Sequence, residues 1–511
     1  MKRVIYKITS VATALILILS FVVGCQGKKD DSSTPAARET SAVSGAGQSK
    51  QEENENQEKE FVTLKALMPG DESKRMREFL AGEFKQKMKE ELNLEIQVDY
   101  SPWDQIWAKL DMMISAGERL DWFWNASVHV PKMMAQKSFA PLNDAVEKYG
   151  QDLKKVIPEE NFKAFTINGE LICIPTAYAP TAELFNTILV RQDILESVGM
   201  NEIKTIEDIE LFYEKAKEKF PQMKFQSTSF NYNLDRVFSD SLKCFDGWMV
   251  IDTKTNKVEC RYLTEAYKKT ALKNYEWGKK GFYAEEVSLK PNEALGRMAT
   301  GEYLLCSGAI SRPLEDISSV RKNVPSARYK EYILAPEKGK AKFIACFNFL
   351  VAGPKSKYVD RFVEFVNWVY KSKDNYNFIL YGVKGKDYEI ENGRLKMINT
   401  DTLFYEWMFR NVSIMDFPDY VDDDFIETFK NWDNGAVVPD FYGFVFDGTK
   451  LAAEYAKIST VIAEKFQPFE TGIVDFEAKY PEAVNALKDA GIDKYVEEYQ
   501  RQLDAYIASR K

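Results

Sequence analysis

The stretch Val62-Thr63-Leu64-Lys65-Ala66-Leu67-Met68, closed by Pro69-Gly70-Asp71, decides the fold. An aliphatic run ending in a Pro-Gly-Asp break reads as a strand entering a turn. Apolar residues then recur every three or four positions at Met76, Phe79, Leu80, Phe84, Met88 and Leu92, the spacing of one helix face. Leu94-Glu95-Ile96-Gln97-Val98 alternates as a second strand. Ile106, Leu110, Met113 and Ile114 mark a second helix, and Asp121-Trp122-Phe123-Trp124 a third strand. Strand–helix–strand–helix–strand order predicts an α/β fold, with a parallel sheet covered by helices.

Upstream of this unit the chain changes character. Lys2, Arg3 and Lys7 precede an uncharged run from Ile8 to Gly24. That run falls short of the roughly 20 apolar residues of a membrane span and has the layout of a signal peptide over residues 1–24. Its end, Val22-Val23-Gly24-Cys25, resembles the lipobox of bacterial lipoproteins, which implies that Cys25 carries lipid. Gln26 to Glu60 is polar and almost free of large apolar residues. It cannot bury enough surface to offset its ordering entropy, so residues 25–60 are expected to form a disordered tether. Folding then starts near Phe61, leaving about 450 residues, room for two lobes.

Net charge is −9, and −12 once Lys2, Arg3 and Lys7 are removed with the signal peptide. Dispersed acidity argues against nucleic-acid binding, which favours a basic stripe. His129 is the only histidine. Histidine-based metal centres and Ser-His-Asp or Cys-His catalysis therefore lack raw material, and neither metal nor cofactor is expected. His129, beside Val128 and Val130 and ahead of Pro131, reads as structural. Cys173, Cys306 and Cys346 lie in apolar runs and read as buried thiols. Cys244 and Cys260 flank a hairpin-like stretch turning at Asp252 to Lys257, where a disulfide is compatible with the sequence but not fixed by it. Asp422-Asp423-Asp424 is the densest acidic cluster. Three adjacent acids point in different directions and suit a solvated loop or helix start better than glycoside hydrolysis, with a calcium ion as the alternative.

The middle of the chain mixes helices, Ile206 to Phe220 and Thr264 to Lys280, with short strands at Leu189-Val190 and Tyr303 to Cys306. A strand from Phe343 to Ala352 and a helix from Val359 to Tyr370 follow. Two helices near the end are marked by Tyr455, Ile458, Ile462 and Phe466, and by Tyr495, Tyr499, Leu503 and Tyr506.

Several passages carry a family likeness. Trp103 to Asp121, containing Ser115-Ala116-Gly117-Glu118, is similar to a helix ending in Ser-Gly-Glu ahead of a strand that starts at aspartate. Gly169 to Pro175 looks like a first strand crossing between lobes, and Leu189 to Leu195 like the entry to a second lobe. Phe441 to Asp447, Gly472 to Asp475 and Ala490 to Asp504 resemble the tail domain of a lipoprotein subset, as do Tyr381 to Tyr388 and Trp407 to Asn411. The mature chain resembles the family 1 extracellular solute-binding lipoproteins of bacterial ABC importers. One departure is Trp122 and Trp124, where many relatives have small or aliphatic residues; it suggests a cleft wall particular to this chain.

The resemblance implies a two-lobed, periplasmic-binding-protein-like fold of type II, each lobe a sheet flanked by helices, with the ligand between them. Lobe 1 is expected over 61–177 with 337–390, and lobe 2 over 186–328 with 391–440. A helical tail, 441–511, is expected to pack on lobe 2. It further implies a non-enzymatic monomer on the extracytoplasmic face of the cell membrane. The resemblance implies that such a protein captures a small solute, with an oligosaccharide the expected one, by lobe closure and delivers it to permease subunits. A surface glycan-binding adhesin or sensor without a transport role is the alternative. Ligands of open α/β sheets bind outside the carboxyl ends of strands. By that rule the ligand-binding candidates are Trp124, Asn125, Tyr178, Ser307, Arg312, Asn348, Trp407 and Asn411, aromatic platforms and hydrogen-bonding groups suited to a sugar's C–H faces and hydroxyl rim. Trp103 reads as a helix staple, and Trp248, Trp277 and Trp432 as core. Hinges are expected near Ile174–Thr181 and Tyr332–Pro336.

Overall fold

The computed structural model describes residues 60–510, apart from 104, 177–179, 184–185, 226–230, 284–299, 312–313, 315–319, 322, 400 and 402. The signal peptide, Cys25 and the tether up to residue 59 lie outside the described residues. Strand β1 (Val62–Pro69) runs parallel to β2 (Leu94–Ser101), from Val62 opposite Leu94 to Pro69 opposite Ser101. On its other side it meets β3 (Trp122–Ala126), also in parallel. The helix expected after β1 is two helices, α1 (Lys74–Ala81) and α2 (Glu83–Leu92), because Gly82 between them leaves helical dihedrals at φ −111° and ψ −101°. Helix α3 (Ile106–Ser115) joins β2 to β3, and α4 (Val130–Gln136) follows β3 with Pro131 in its first turn, where no N–H is needed.

After a hairpin of β4 (Thr166–Ile167) and β5 (Glu170–Leu171) comes β6 (Ile174–Pro175), and the chain then crosses to a second sheet. That sheet has the order β13-β7-β12-β8, built from β7 (Thr187–Arg191), β8 (Lys224–Phe225), β12 (Tyr303–Gly308) and β13 (Tyr329–Ile333). Between β8 and β12 lies an antiparallel meander of β9 (Lys243–Asp246), β10 (Met249–Asp252) and β11 (Val258–Cys260). The chain returns as β14 (Asn348–Val351), antiparallel to both β3 and β6, giving the first sheet the order β2-β1-β3-β14-β6. The first sheet is thus mixed rather than parallel throughout. Strands β1 to β3 and β6 run toward the second lobe, whereas β14 arrives from it. Their carboxyl ends and the start of β14 therefore share one edge, with Ala126 opposite Asn348.

Trp122 is fully buried in the first lobe and stacks on Phe362 of helix Val359–Lys371, ring centroids 6.2 Å apart, so it belongs to the core and not to a cleft wall. Leu395, Phe404, Phe409, Phe417, Phe429 and Trp432 share that core. Residues 391–432 thus pack on the first lobe, not on the second as their sequence suggested. Burial of those apolar side chains drives the return, and α1 also holds the segment by polar contacts: Asp387, buried just ahead of the hairpin Tyr388–Met397, accepts two hydrogen bonds from the Arg75 guanidinium at 2.6 and 2.8 Å, and Asp401 accepts the Arg75 N–H at 3.2 Å.

The tail from Phe441 to Ile507 shares a core with β9, β10 and β11. Buried Arg261 pairs with Asp235 and, at 2.5 Å, with Glu470 of the tail, and Tyr499 donates to Asp246 at 2.6 Å. Cys244 and Cys260 are free thiols. They sit on β9 and β11 with β10 between them, about two strand spacings apart and beyond disulfide reach. Asp422 caps helix Asp423–Lys430 by accepting the Phe425 N–H at 2.8 Å, which accounts for the acidic cluster as a helix start.

Three segments pass between the lobes and meet at one waist. Asp433 accepts the N–H groups of Thr181 and Ala182 at 3.0 and 2.9 Å, and Lys342 pairs with it at 3.3 Å. Glu183 accepts the Ala341 N–H at 2.9 Å and pairs with Arg236 at 3.2 Å. Arg236 also donates to the carbonyls of Leu334 and Ala335, and Lys338 to those of Arg236 and Val237. Residues 334–338 are therefore fastened to the second lobe, which leaves no slack where a pivot at Tyr332–Pro336 was expected.

Candidate functional site

Residues along one face of β3 change role within two positions. Trp122 packs in the core, while Trp124, near the carboxyl end, emerges at the shared edge of the first sheet. Its indole Nε1 donates to Asn348 Oδ1 at 3.0 Å across the β3–β14 pairing, which fixes the ring's orientation. Around it gather Trp107 at 5.2 Å, Trp103 at 6.1 Å and Trp407 at 4.7 Å between centroids. Tyr405 stacks on Trp407 at 5.0 Å and lies 5.7 Å from Trp103. These rings come from four places: the β2–α3 junction, α3, β3, and the segment around the short helix Glu406–Phe409. Gly70, just past β1, adopts φ +85°, and a Cβ there would collide with Tyr405 Oη, so only glycine lets the phenol close the cluster against the strand end.

Trp103 is 43% exposed, whereas the other four rings are half-buried. The cluster therefore presents one open indole supported from behind by edge-on neighbours, and such tilted pairs hold their geometry through the ring quadrupole. His129 lies behind Trp107, 4.1 Å away. Burial, helped by the Lys132 cation and opposed by Asp111, pushes the imidazole down to about 4, so it is neutral at ordinary pH. Burial first, and then the nearby Asp71 carboxylate, push the Tyr405 phenol up.

Of the residues singled out in the sequence, the structure brings together Trp124, Asn348 and Trp407. Asn125 lies beside them but is buried, its Oδ1 accepting the Ala126 N–H at 2.8 Å. Asn411 does not reach the surface of the cluster: it is fully buried, and its Oδ1 accepts from Ser413 N–H and Oγ at 3.1 and 2.5 Å, shaping the turn behind Trp407. Ser307 has its backbone in β12 opposite Ile188, with its side chain outside the described residues; Tyr178 and Arg312 lie outside them altogether. Sequence reasoning passed over Trp103, Trp107 and Tyr405. The signal was present in Trp103 and Trp107, four apart at a helix start, and in Tyr405 and Trp407, two apart. What hid it was that aromatic residues mostly fill cores.

Residues 81–381, more than half of the chain, match a family model described as a bacterial extracellular solute-binding protein. The chain belongs to this solute-binding family. Residues 440–508 match a second model, described as a domain of unknown function (DUF3502). A carbohydrate ABC transporter substrate-binding protein from Streptococcus pneumoniae serotype 4 (strain ATCC BAA-334 / TIGR4) is 23% identical over 475 residues, covering 88% of this chain and 91% of the relative. Among solved structures, the N-glycan transport solute binding protein NgtS from Streptococcus pneumoniae, in complex with Man1GlcNAc, is similar with a TM-score of 0.72 at 20% identity, over 88% of this chain and 100% of that one. Alginate-binding protein AlgQ2 follows with a TM-score of 0.62 at 17% identity, over 87% and 98%. The two-lobed fold is shared with these proteins. This solute-binding protein binds its solute without transforming it and is not an enzyme.

Proposed function

We propose that the chain is the substrate-binding component of an ABC importer, anchored by lipid on Cys25 at the extracytoplasmic face of the membrane, and that it presents a neutral oligosaccharide to permease subunits. The observation that carries this proposal is the open Trp103 indole, backed by Trp107, Trp124, Tyr405 and Trp407, at the edge of the first sheet where β6 leaves for the second lobe and β14 returns from it. A pyranose lays its C–H face on such a ring, and amides like Asn348 and a carboxylate like Asp71 suit its hydroxyls. An acidic group beside the platform also disfavours a uronate, whose carboxylate it would repel. That the pneumococcal relative serves a carbohydrate ABC transporter, and that NgtS binds a glycan, supports the same ligand class. Ser307 and Arg312 are proposed to complete the wall on the second lobe, and Tyr178 the floor between lobes.

Titration calorimetry with Man1GlcNAc, longer neutral glycans and a uronate oligosaccharide tests the proposal. Truncating an aromatic anchor typically costs about 2 kcal/mol, so Trp103→Ala and Trp124→Ala are each expected to weaken binding of a neutral glycan about 30-fold. Binding of uronates alone, lost in Arg312→Ala and indifferent to both tryptophan variants, would overturn it.

A further inference from the structure

The C-terminal domain is joined to the second lobe by a shared core and by the Arg261–Glu470 ion pair, yet it also touches the first lobe at a small seam. There, Asp447 Oδ2 accepts from Asn168 Nδ2 at 3.0 Å, while its Oδ1 accepts the Thr449 N–H at 3.0 Å and so fixes the loop carrying Gly448. A Cβ on Gly448 would stand 2.7 Å from the Pro131 carbonyl oxygen and 3.0 Å from Pro131 Cα and Cβ. Gly448 has φ −81°, which any residue adopts, so glycine serves here for closeness and not for conformation. Tail and α4 therefore meet backbone to backbone.

Two links carry that contact to the aromatic cluster. Lys132, the residue after Pro131, pairs at 2.6 Å with Asp111 of α3, the helix that bears Trp107. His129, two residues before Pro131, packs its ring on Trp107, which in turn packs on Trp124. Val445 of the tail also lies against the first-lobe core. We propose that the C-terminal domain positions the ligand platform: by bearing on α4 through Gly448 it sets His129 against Trp107, so the platform's shape depends on where the second lobe and its tail stand. This rests on the aromatic cluster being the ligand platform. It assigns Gly448 and Asp447 as positioning residues, although they belong to a domain of unknown role. A wedge of one methyl at Gly448 must displace α4 or the tail, because the nearest atom is main chain and cannot swing aside.

The chain's single histidine is a built-in reporter of the contact. In the full-length, ligand-free protein, the His129 imidazole is followed by NMR through a pH titration. Gly448→Ala is expected to admit water behind Trp107 and raise the imidazole pKa from about 4 to above about 5. Asp111 and Lys132, the charged groups beside it, remain in both proteins. Asn168→Ala opens the same seam without a wedge and should move the imidazole in the same direction, which keeps the test available if Gly448→Ala does not fold. Ile473→Ser, exposed elsewhere on the tail, should leave it unmoved. An unchanged titration in folded Gly448→Ala and Asn168→Ala, or an equal shift in Ile473→Ser, would sink the proposal. Failure of the ligand assignment would appear instead in the affinities of Trp103→Ala and Trp124→Ala, which this titration does not touch.

Discussion

Replacing His129 by glutamine should flatten the acid limb of the protein's stability. In the folded state burial holds the imidazole neutral down to about pH 4, whereas in the unfolded chain it takes a proton near its ordinary value of about 6.5. As pH falls between these values the unfolded state binds the proton and the folded state does not, so stability falls with it. Above the unfolded value nothing is lost, and below the folded value nothing further is lost. Between pH 7 and pH 4.5 this group alone removes about 2.4 kcal/mol, from about 1.4 kcal/mol per pH unit over most of the gap. His129→Gln cannot titrate, while the carboxylates shared by both proteins cancel in the difference. Urea unfolding at both pH values, followed by the tryptophan fluorescence to which the first-lobe cluster contributes, measures the double difference. The wild type should lose about 2.4 kcal/mol more than the variant. A double difference below about 0.5 kcal/mol would mean that the imidazole is solvated and is not packed behind Trp107.

Two further outcomes follow from buried polar contacts. At Asp387, burial works against ionisation, but Arg75 and the Val383 N–H outweigh it and hold the carboxylate below its usual range. Asp387→Ala leaves the buried Arg75 cation with Glu83, at 3.3 Å, as its remaining carboxylate and should cost about 3 kcal/mol in urea unfolding, and a cost under about 1 kcal/mol would contradict the pairing. At the waist, Asp433→Ala removes the acceptor of two backbone N–H groups, worth about 2 kcal/mol. Hydrogen exchange at the Thr181 and Ala182 amides should then speed up about 30-fold, and unchanged exchange would refute the contact.

The sequence made the first sheet legible because β1, β2 and β3 combine a strand pattern with breakers at their ends, and because α3 repeats at helical spacing. It did not reveal that residues 391–432 return to the first lobe. That return is made by apolar side chains such as Leu395, Phe404 and Phe429 packing on a core formed hundreds of positions away, which no local period encodes. The aromatic cluster of the candidate site is legible where topology alone places a residue, as at Trp124 and Asn348 on facing strands. It was obscured where identity had to be told from burial. Asn411 and Trp407 stand four apart, yet one is sealed in a turn and the other joins the cluster. Trp103 reads from the sequence as a helix staple, yet it is the most open ring of the group, because exposure at a helix start depends on what the rest of the chain fails to cover.

At the waist, neighbouring residues are held by opposite lobes, and this limits where the lobes can turn. Ala182 is buried in the first-lobe core, its carbonyl accepting the Trp432 indole N–H at 2.7 Å, while Glu183 pairs with Arg236 of the second lobe. In the returning segment, Leu334 and Ala335 are held by Arg236, and Lys342 is held by Asp433, which follows the first-lobe Trp432. Val437 of the third segment bonds on both sides of Ala341, accepting from Lys342 N–H and donating to the Lys340 carbonyl, so the three segments are laced together there and cannot slide independently. Any rotation of the lobes would have to be absorbed by the few dihedrals between Ala182 and Glu183, between Gly339 and Lys342, and in the third segment between Asp433 and Val437, a short and shared axis. Hinges of this kind permit rotation while resisting translation. The tail makes the same demand from outside: fixed to the second lobe and in backbone contact with α4 at Gly448, it can follow a rotation only if that contact slides or carries α4 with it.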